Sequence, residues 1–380
     1  MKILLLGEYS NVHWTLAEGL RELGHTVTVI SDGDGWKNYK RDVDLTRHSL
    51  GKADTMRYYA DILLNLPKMR GFDIVQIINP IFFNLKANKM MPFYRYLRRH
   101  NKKVVMGAFG MDHYWVKTCM DCRTFRYSDF NIGDKLRSDE PCNRQFVKDW
   151  LDGEKTALNI EIAKDCDAIV AGLYEYYRCY HPYYSDKTTF IPFPIKLPND
   201  MNSENHNEGK SACTEGEDSR KVSFFVGIQR GRSEYKGTDI MLRALQRVHE
   251  KYPDRCELNI AESVPFEQYQ RMIESSDVLI DQLYSYTPAM NALLAMSKGI
   301  VAVTGGEPEN YEILGETELR PIVNVLPSEE DCYDKFEHLV LHPEELPRMK
   351  AESVEYVRRH HEYVKVARQY SDLYSALLAH

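Results

Sequence analysis

The pattern that most restricts this chain is an alternation of buried strand and amphipathic helix that runs once, stops in a polar stretch, and begins again. It opens with KILLL, a turn at Gly7, a helix through Thr15, Leu16, Leu20 and Leu23, a stop at Gly24, and the strand TVTVI. Further apolar strands are expected at 73–78, 103–106 and 168–171, with helical stretches between them. Such alternation predicts a parallel sheet covered by helices on both faces. From Pro198 to Ser219 the chain reads PNDMNSENHNEGKSACTEGEDS, with no aromatic residue and too little apolar surface to offset the entropy of ordering it. Beyond it come KVSFFVG, a helix over 238–251, CELNIA, a helix around 266–275 and DVLID. The stretch NALLAMSKGIVAVTGG then supplies a helix, a stop at Gly299, a buried strand over 300–303 and a double-glycine turn.

The expected organisation is α/β. A Rossmann-like doubly wound domain spans 1–197 with an insert at about 117–153, a polar linker spans 198–220, and a second such domain spans 221–361. The last stretch, 362–380, is read as a helix crossing back to the first domain. The 380 residues suit two domains of roughly 150 to 200 residues. Two such domains facing across a cleft line it with the carboxyl ends of their strands, where open α/β sheets bind ligands.

No apolar run approaches the roughly 20 residues that span a bilayer, and MKILLLGEYS turns polar too early for a signal peptide, so a cytoplasmic protein is expected. The eight cysteines are scattered, as reduced thiols would be. Cys119, Cys122, Cys142 and His113 provide zinc-ligand types at a spacing that matches no standard zinc module, so no metal is expected. Net charge is −7, but 1–196 holds 29 Lys and Arg against 24 Asp and Glu, whereas 197–380 holds 20 against 32. The basic aromatic run PFYRYLRRHNKK reads either as a solvated helix face or as peripheral contact with an anionic membrane on its inner face, through Arg95, Arg98 and Arg99. Nucleic acid is excluded as a partner, because the whole chain is acidic and no nucleic-acid motif accompanies the run.

The first turn, GEYSNVH, holds one glycine where a dinucleotide fingerprint requires three, which removes the NAD-enzyme reading. Phosphate chemistry points elsewhere. After the strand ending at Gly227, the loop IQRGRSEYKGTD places Arg230, Arg232 and Lys236 among glycines before a helix starting near Thr238. Cations, flexible backbone and a helix N-terminus together predict a phosphate or diphosphate site, without the residue order of a P-loop.

FFVGIQRGRSEYKGTDIMLRAL and SSDVLIDQLYSYTPAMNALLAMSKGIVAVTGGEPE resemble the nucleotide-binding domain of GT-B glycosyltransferases of the retaining, family 4 kind. In the first half, AFGMDHYW, and CDAIVAGLYEYY followed by FIPFPI, are similar to that family's acceptor-domain turn and crossover. The resemblance implies transfer of a sugar, with retention, from a nucleoside-diphosphate sugar to a glycan or lipid-linked oligosaccharide acceptor, in surface polysaccharide synthesis. It implies no cofactor and no metal, the nucleotide sugar being a co-substrate. Arg232 and Lys236 would stabilise the departing diphosphate, and Asp112 and His113 would touch acceptor or donor sugar. The donor would lie along Gly227, Arg230, Tyr286, Thr287, Pro288, Ala289, Met290 and Asn291. The family's two glutamates, eight positions apart, fall here on Tyr286 and Leu294, so either Asn291, Glu307 or Glu309 substitutes for them or nucleotide binding is weakened. Bland readings stand beside these: Asn291 as a helix N-cap, Asp112 as a turn cap, His113 as a surface side chain. Two other functions stay open, a nucleotide-sugar epimerase and a non-catalytic sugar- or nucleotide-binding protein.

Overall fold

The computed structural model describes residues 1–137, 140–198, 221–228, 233–262, 264 and 266–379. Arg230 and Arg232, and the polar stretch from 199 to 220, lie outside the described residues. The chain divides into two units, Met1–Thr124 with Arg144–Pro194 and Tyr363–His380, and Phe125–Asn143 with Ile195–Glu362.

In chain order the strands are β1 (Lys2–Leu6), β2 (Thr26–Ser31), β3 (Val43–Asp44), β4 (Ile74–Ile77), β5 (Lys103–Ala108), β6 (Asn131–Ile132) and β7 (Lys135–Leu136). They continue as β8 (Ala168–Ala171), β9 (Thr188–Phe190), β10 (Val222–Ile228), β11 (Cys256–Glu262), β12 (Val278–Ile280), β13 (Val301–Thr304) and β14 (Val323–Asn324). The helices begin with α1 (Val12–Glu22), α2 (Lys52–Asn65), α3 (Met90–His100), α4 (His113–Cys119), α5 (Pro141–Trp150), α6 (Glu154–Asp165) and α7 (Tyr174–Tyr180). In the later part they are α8 (Ser233–Lys236), α9 (Thr238–Lys251), α10 (Phe266–Glu274), α11 (Met290–Ser297), α12 (Pro308–Leu314), α13 (Glu329–Leu341), α14 (Leu346–His360) and α15 (Tyr363–Ala379).

In the first unit seven parallel strands run in the order β3-β2-β1-β4-β5-β8-β9. KILLL takes an interior place between β2 and β4 because Ile3 to Leu6 are apolar in succession, and all four are fully buried. The C-terminal helix α15 packs on α1 in this unit. Gly19 makes that approach possible, since a Cβ there would lie 2.6 Å from the Tyr363 carbonyl oxygen. A buried polar chain ties the layers together: the Tyr374 hydroxyl donates to Gln76 Oε1 at 2.7 Å, and Gln76 Nε2 lies 3.2 Å from His13 Nε2. His13 Nδ1 lies 2.8 Å from the Gly7 carbonyl oxygen and therefore carries the proton, which leaves Nε2 to accept from Gln76. Burial lowers the His13 pKa to about 3, so the ring stays neutral.

Basic helix α3 is answered inside the same unit. Arg95 pairs with Glu161 at 2.9 Å, and Arg98 pairs with Asp165 at 3.4 Å and with Asp167. Two of the three arginines expected at a membrane are thus already matched by carboxylates. No helix among the described residues is long and apolar enough to cross a membrane.

The second unit has five parallel strands in the order β11-β10-β12-β13-β14. Phe224 and Val226 of β10 and Ile280 of β12 pack against Met241, Leu245 and Val248 of α9 and Phe336 of α13. The insert departs from the sequence expectation, which placed all of 117–153 in the first domain: residues 125–143 count with the second unit. Their antiparallel hairpin, β6 with β7, is held there by the contacts described next.

Candidate functional site

The carboxyl ends of β10 and β12 lie beside each other, because Val226 is in register with Ile280. DVLID ends there in Asp281, 4% exposed, whose Oδ1 lies 3.4 Å from Lys236 Nζ and accepts from Asn291 Nδ2 at 3.2 Å. The Tyr269 hydroxyl reaches Asn291 Oδ1 at 3.5 Å. Gly227 is required by that same ring, since a Cβ would lie 2.7 Å from Tyr269. Lys236, Asp281 and Asn291 thus form one polar cluster at the strand ends. Asn291 does not cap α11, as one reading held; Ala289 occupies the N-cap, and Asn291 sits in the first turn with its amide turned to Asp281. Leu294 is half-buried on the same helix and offers no polar atom.

Lys236 keeps part of its capacity. An ammonium has three donors, and strong charge-assisted bonds measure about 2.7–2.9 Å, so a single contact at 3.4 Å leaves the group able to bind a further anion. Helix α8 ends at Lys236 and Gly237 turns the chain into α9, which fixes the side chain at the end of the sheet.

The 125–143 segment packs onto the loop from 284 to 286, onto Glu307 and Glu309, and onto α8. Arg126 bonds Glu307 Oε2 at 2.8 Å and also pairs with Glu309, and its guanidinium lies 4.7 Å from the Tyr286 ring centre. Its backbone N–H donates to the Tyr286 hydroxyl at 2.6 Å. Tyr127 donates to Glu307, and Asn324 Nδ2 donates to it at 3.0 Å. Asp129 accepts from the Tyr235 hydroxyl at 2.5 Å. Arg137 donates to the Glu234 carbonyl at 2.7 Å and stacks 3.6 Å from the Tyr284 ring centre.

These bonds correct the expectation that Glu307 or Glu309 stands ready for a ribose. Glu307 is 6% exposed and holds three side-chain donors from its own unit. Glu309 is committed to Arg126, which holds its carboxyl below the usual range although burial pushes the other way. Tyr286, where the resembled family has a glutamate, has its hydroxyl on Arg126 N–H, and burial raises its pKa to about 12. Thr287 and Pro288 are buried, while Ala289 and Met290 are half-buried where the loop enters α11.

In the first unit, Asp112 and His113 lie at the end of β5 but are turned inward. Asp112 is fully buried, caps α4 by accepting from Trp115 N at 2.9 Å, and accepts from the Tyr180 hydroxyl at 2.7 Å. Burial lifts its pKa to about 6 against those bonds. His113 is no surface side chain: it is 7% exposed, with Nδ1 2.8 Å from the Trp150 carbonyl oxygen, and burial lowers its pKa. The structure therefore gives Asp112 a capping role and joins neither residue to an open polar cluster. Another carboxyl there went unassigned in the sequence: Glu8, 2% exposed, accepts from His13 N at 3.2 Å and from Trp14 N at 2.9 Å, and burial pushes its pKa up to about 8.

Among the described residues no group of three or more His, Cys, Asp or Glu is arranged to hold a metal. Sequence reasoning also missed Asp281, although it had marked the strand that ends there, and the partners Arg126, Tyr127 and Asp129. Those three lie more than a hundred residues from their partners, so no local spacing reveals them.

A scan against protein-family models finds no match, and a search of curated proteins finds none. Solved structures do match over nearly the whole chain. One is Alr3699/HepE of Anabaena in complex with UDP and glucose, at 10% identity and a TM-score of 0.57, covering 99% of this chain and 100% of that one. Another is sucrose-phosphate synthase of Thermosynechococcus elongatus, at 12% identity and a TM-score of 0.60, covering 100% and 99%. A third is UDP-GlcNAc 2-epimerase of Neisseria meningitidis bound to UDP-GlcNAc, at 12% identity and a TM-score of 0.51, covering 98% and 99%. At such identity the likeness speaks for architecture, and with two parallel-sheet α/β units in this chain it shows the GT-B fold.

Proposed function

We propose that this protein is a glycosyltransferase that moves a sugar from a nucleoside-diphosphate sugar to a glycan or lipid-linked oligosaccharide acceptor, with retention of anomeric configuration, in surface polysaccharide synthesis. The observation that carries this reading is Lys236, fixed at the carboxyl ends of β10 and β12 by a single long contact to Asp281. Negative charge grows on the diphosphate as the glycosidic bond breaks. A preorganised ammonium stabilises that state more than the ground state and so accelerates transfer. Arg232 would share the work, and backbone N–H groups over 287–290 would complete the phosphate cradle. The reaction as proposed calls on protein cations and on no resident metal.

In this reading the donor's sugar end meets Tyr286 and Arg126 rather than a free carboxylate, and Asn291 stands nearest the ribose. HepE, of the same fold, holds UDP and glucose, which makes a UDP-sugar the first donor to try. The epimerase reading draws on the UDP-GlcNAc 2-epimerase of the same fold. It needs an acid and a base beside the sugar, and in the second unit Glu307 and Glu309 are both bonded to Arg126.

The test is a panel of nucleotide sugars read by thermal shift, followed by product analysis with and without acceptor. A ligand at a hundredfold excess over its Kd stabilises by roughly 2.7 kcal/mol. Transfer with the donor's anomeric configuration kept, read by NMR, is the expected result. Epimerised donor with no acceptor used would replace this reading with the second one, and tight binding without any turnover would leave a binding protein.

A further inference from the structure

Helix α2 is amphipathic in the reverse sense to most surface helices: its apolar stripe faces outward. Tyr58 and Ile62 anchor it to the first unit, and both are buried. On the opposite side Met56 is 74% exposed, Leu63 46%, Leu64 76% and Tyr59 36%, with Ala53 and Ala60 exposed between them. Leu50, just before the helix, is 82% exposed. At 100° per residue these side chains fall on one face, centred opposite Tyr58 and Ile62. Lys52 and Arg57 flank that face. The two acidic residues of the helix, Asp54 and Asp61, sit at the edge of the anchored side, and Asp54 is occupied by the Ser49 N–H and Arg57.

Cations outnumber carboxylates in this stretch of the chain. Residues 45–103 hold 12 Lys and Arg against 3 Asp and Glu. Lys52, Lys68, Arg70, Lys86 and Lys89 are all exposed. Helix α3 adjoins this region, since Tyr59 packs edge-on to Phe93 at 5.5 Å and the Tyr96 hydroxyl donates to the Leu66 carbonyl at 3.0 Å.

We infer that α2 is an interfacial helix that lays its Met56–Leu64 face into an anionic lipid bilayer surface. The apolar strip gains from leaving water, and the cations around it gain from the negative headgroups. A second copy of the chain fits less well as the covering partner. A two-fold contact through this face would set the same cations against themselves. The inference shifts lipid contact from α3, where Arg95 and Arg98 are matched by carboxylates, to α2. It needs no turnover and stands apart from the donor reading.

The experiment is co-sedimentation of the full chain with vesicles of phosphatidylcholine alone and of phosphatidylcholine with phosphatidylglycerol. Wild type should bind the anionic vesicles at least tenfold more tightly, and lose that preference in high salt. The double variant Met56→Glu/Leu64→Glu should bind at least tenfold more weakly while its thermal melt matches wild type. If that variant folds poorly, Leu50→Glu, outside the helix, should still weaken binding severalfold. Equal sedimentation of variant and wild type, no wild-type binding, or no preference for anionic vesicles overturns the inference. So does self-association of wild type, read by analytical ultracentrifugation, that the double variant abolishes while vesicles stay unbound.

Discussion

Beyond β1 and β5 in the first unit the carboxyls of Glu8 and Asp112 turn inward, whereas in the second unit Glu309 and Lys236 stay partly open. Glu8 and Asp112 are almost wholly buried, and burial pushes their pKa values up to about 8 and about 6. Glu309, in the second unit, is held below the usual range by Arg126, and Lys236 keeps 30% of its side chain exposed beside Asp281. The same parallel-sheet architecture thus yields one rim whose carboxyls are raised by desolvation and one whose carboxylate is held down by an ion pair. In the second, Lys236 presents a cation to an incoming anion. The difference teaches that strand-end position alone does not make a site; unspent donors do.

The largest effect should come from the open rim. Lys236→Ala should lower kcat by about 10²–10³ fold, as loss of one preorganised transition-state donor does, while the thermal melt stays cooperative. A variant that turns over at the wild-type rate would erase the contrast between the rims, because the open cation would then serve nothing.

Next comes the desolvated rim, through pH. Glu8 has its folded pKa raised, so its stabilising contribution is complete below about 4.5 and is lost as pH rises toward about 8. Between pH 6.5 and 8, His13, with its pKa near 3, no longer titrates and Asp112, near 6, completes only the last part of its titration, so Glu8 dominates among the groups named at this rim. Over that window wild type should lose about 2 kcal/mol relative to Glu8→Gln. Parallel stability curves for the two proteins from pH 6.5 to 8 would mean that Glu8 is ionised in the fold, and desolvation would no longer set the first rim apart.

Much of this architecture is legible in residues 1–31 and 221–304, where apolar strands, glycine stops and helical stripes follow one another within a few positions. The elements match the expected ones because local pattern and tertiary burial agree at KILLL, KVSFFVG and the stretch from Asn291 to Gly306. The site was legible only where it too is local. Lys236 announces itself by its place between a strand end and a helix start. Glu307 reads as a substitute carboxylate because it follows the double-glycine turn of the resembled donor segment, but Arg126 and Tyr127, some 180 positions earlier, take up its oxygens. Asp112 looked like a cleft residue because it ends a strand. Its burial against Tyr180 depends on a helix more than sixty residues later.

The 125–143 hairpin can be tested for its share in the charged rim. Arg126→Ala removes both ion pairs to Glu307 and Glu309, and should speed amide exchange over 125–137 about tenfold while letting the Glu309 pKa climb toward its ordinary value. The depressed Glu309 pKa contributes stability above about pH 4.5 that fades as pH falls, opposite in sign to Glu8. Mass-spectrometric exchange with no change over 125–137 would show that the hairpin is held by its rings and by Arg137 instead.

The smallest expected effect belongs to one hydroxyl. Tyr286→Phe keeps the ring, and with it the stack on Tyr127 at 5.0 Å, the edge contact with Phe125 at 5.5 Å and the Arg126 guanidinium at 4.7 Å. What it removes is the acceptor for the Arg126 N–H, in a residue only 2% exposed. A neutral hydrogen bond of this kind contributes about 1 kcal/mol, which corresponds to roughly fivefold faster opening of the hairpin. If the hydroxyl serves the hairpin alone, exchange over 125–137 should rise by that factor and the donor Kd should stay within twofold. A donor Kd that weakens tenfold with exchange unchanged would make the Tyr286 hydroxyl itself, and not only the ring and Arg126, a ligand contact in place of the missing glutamate.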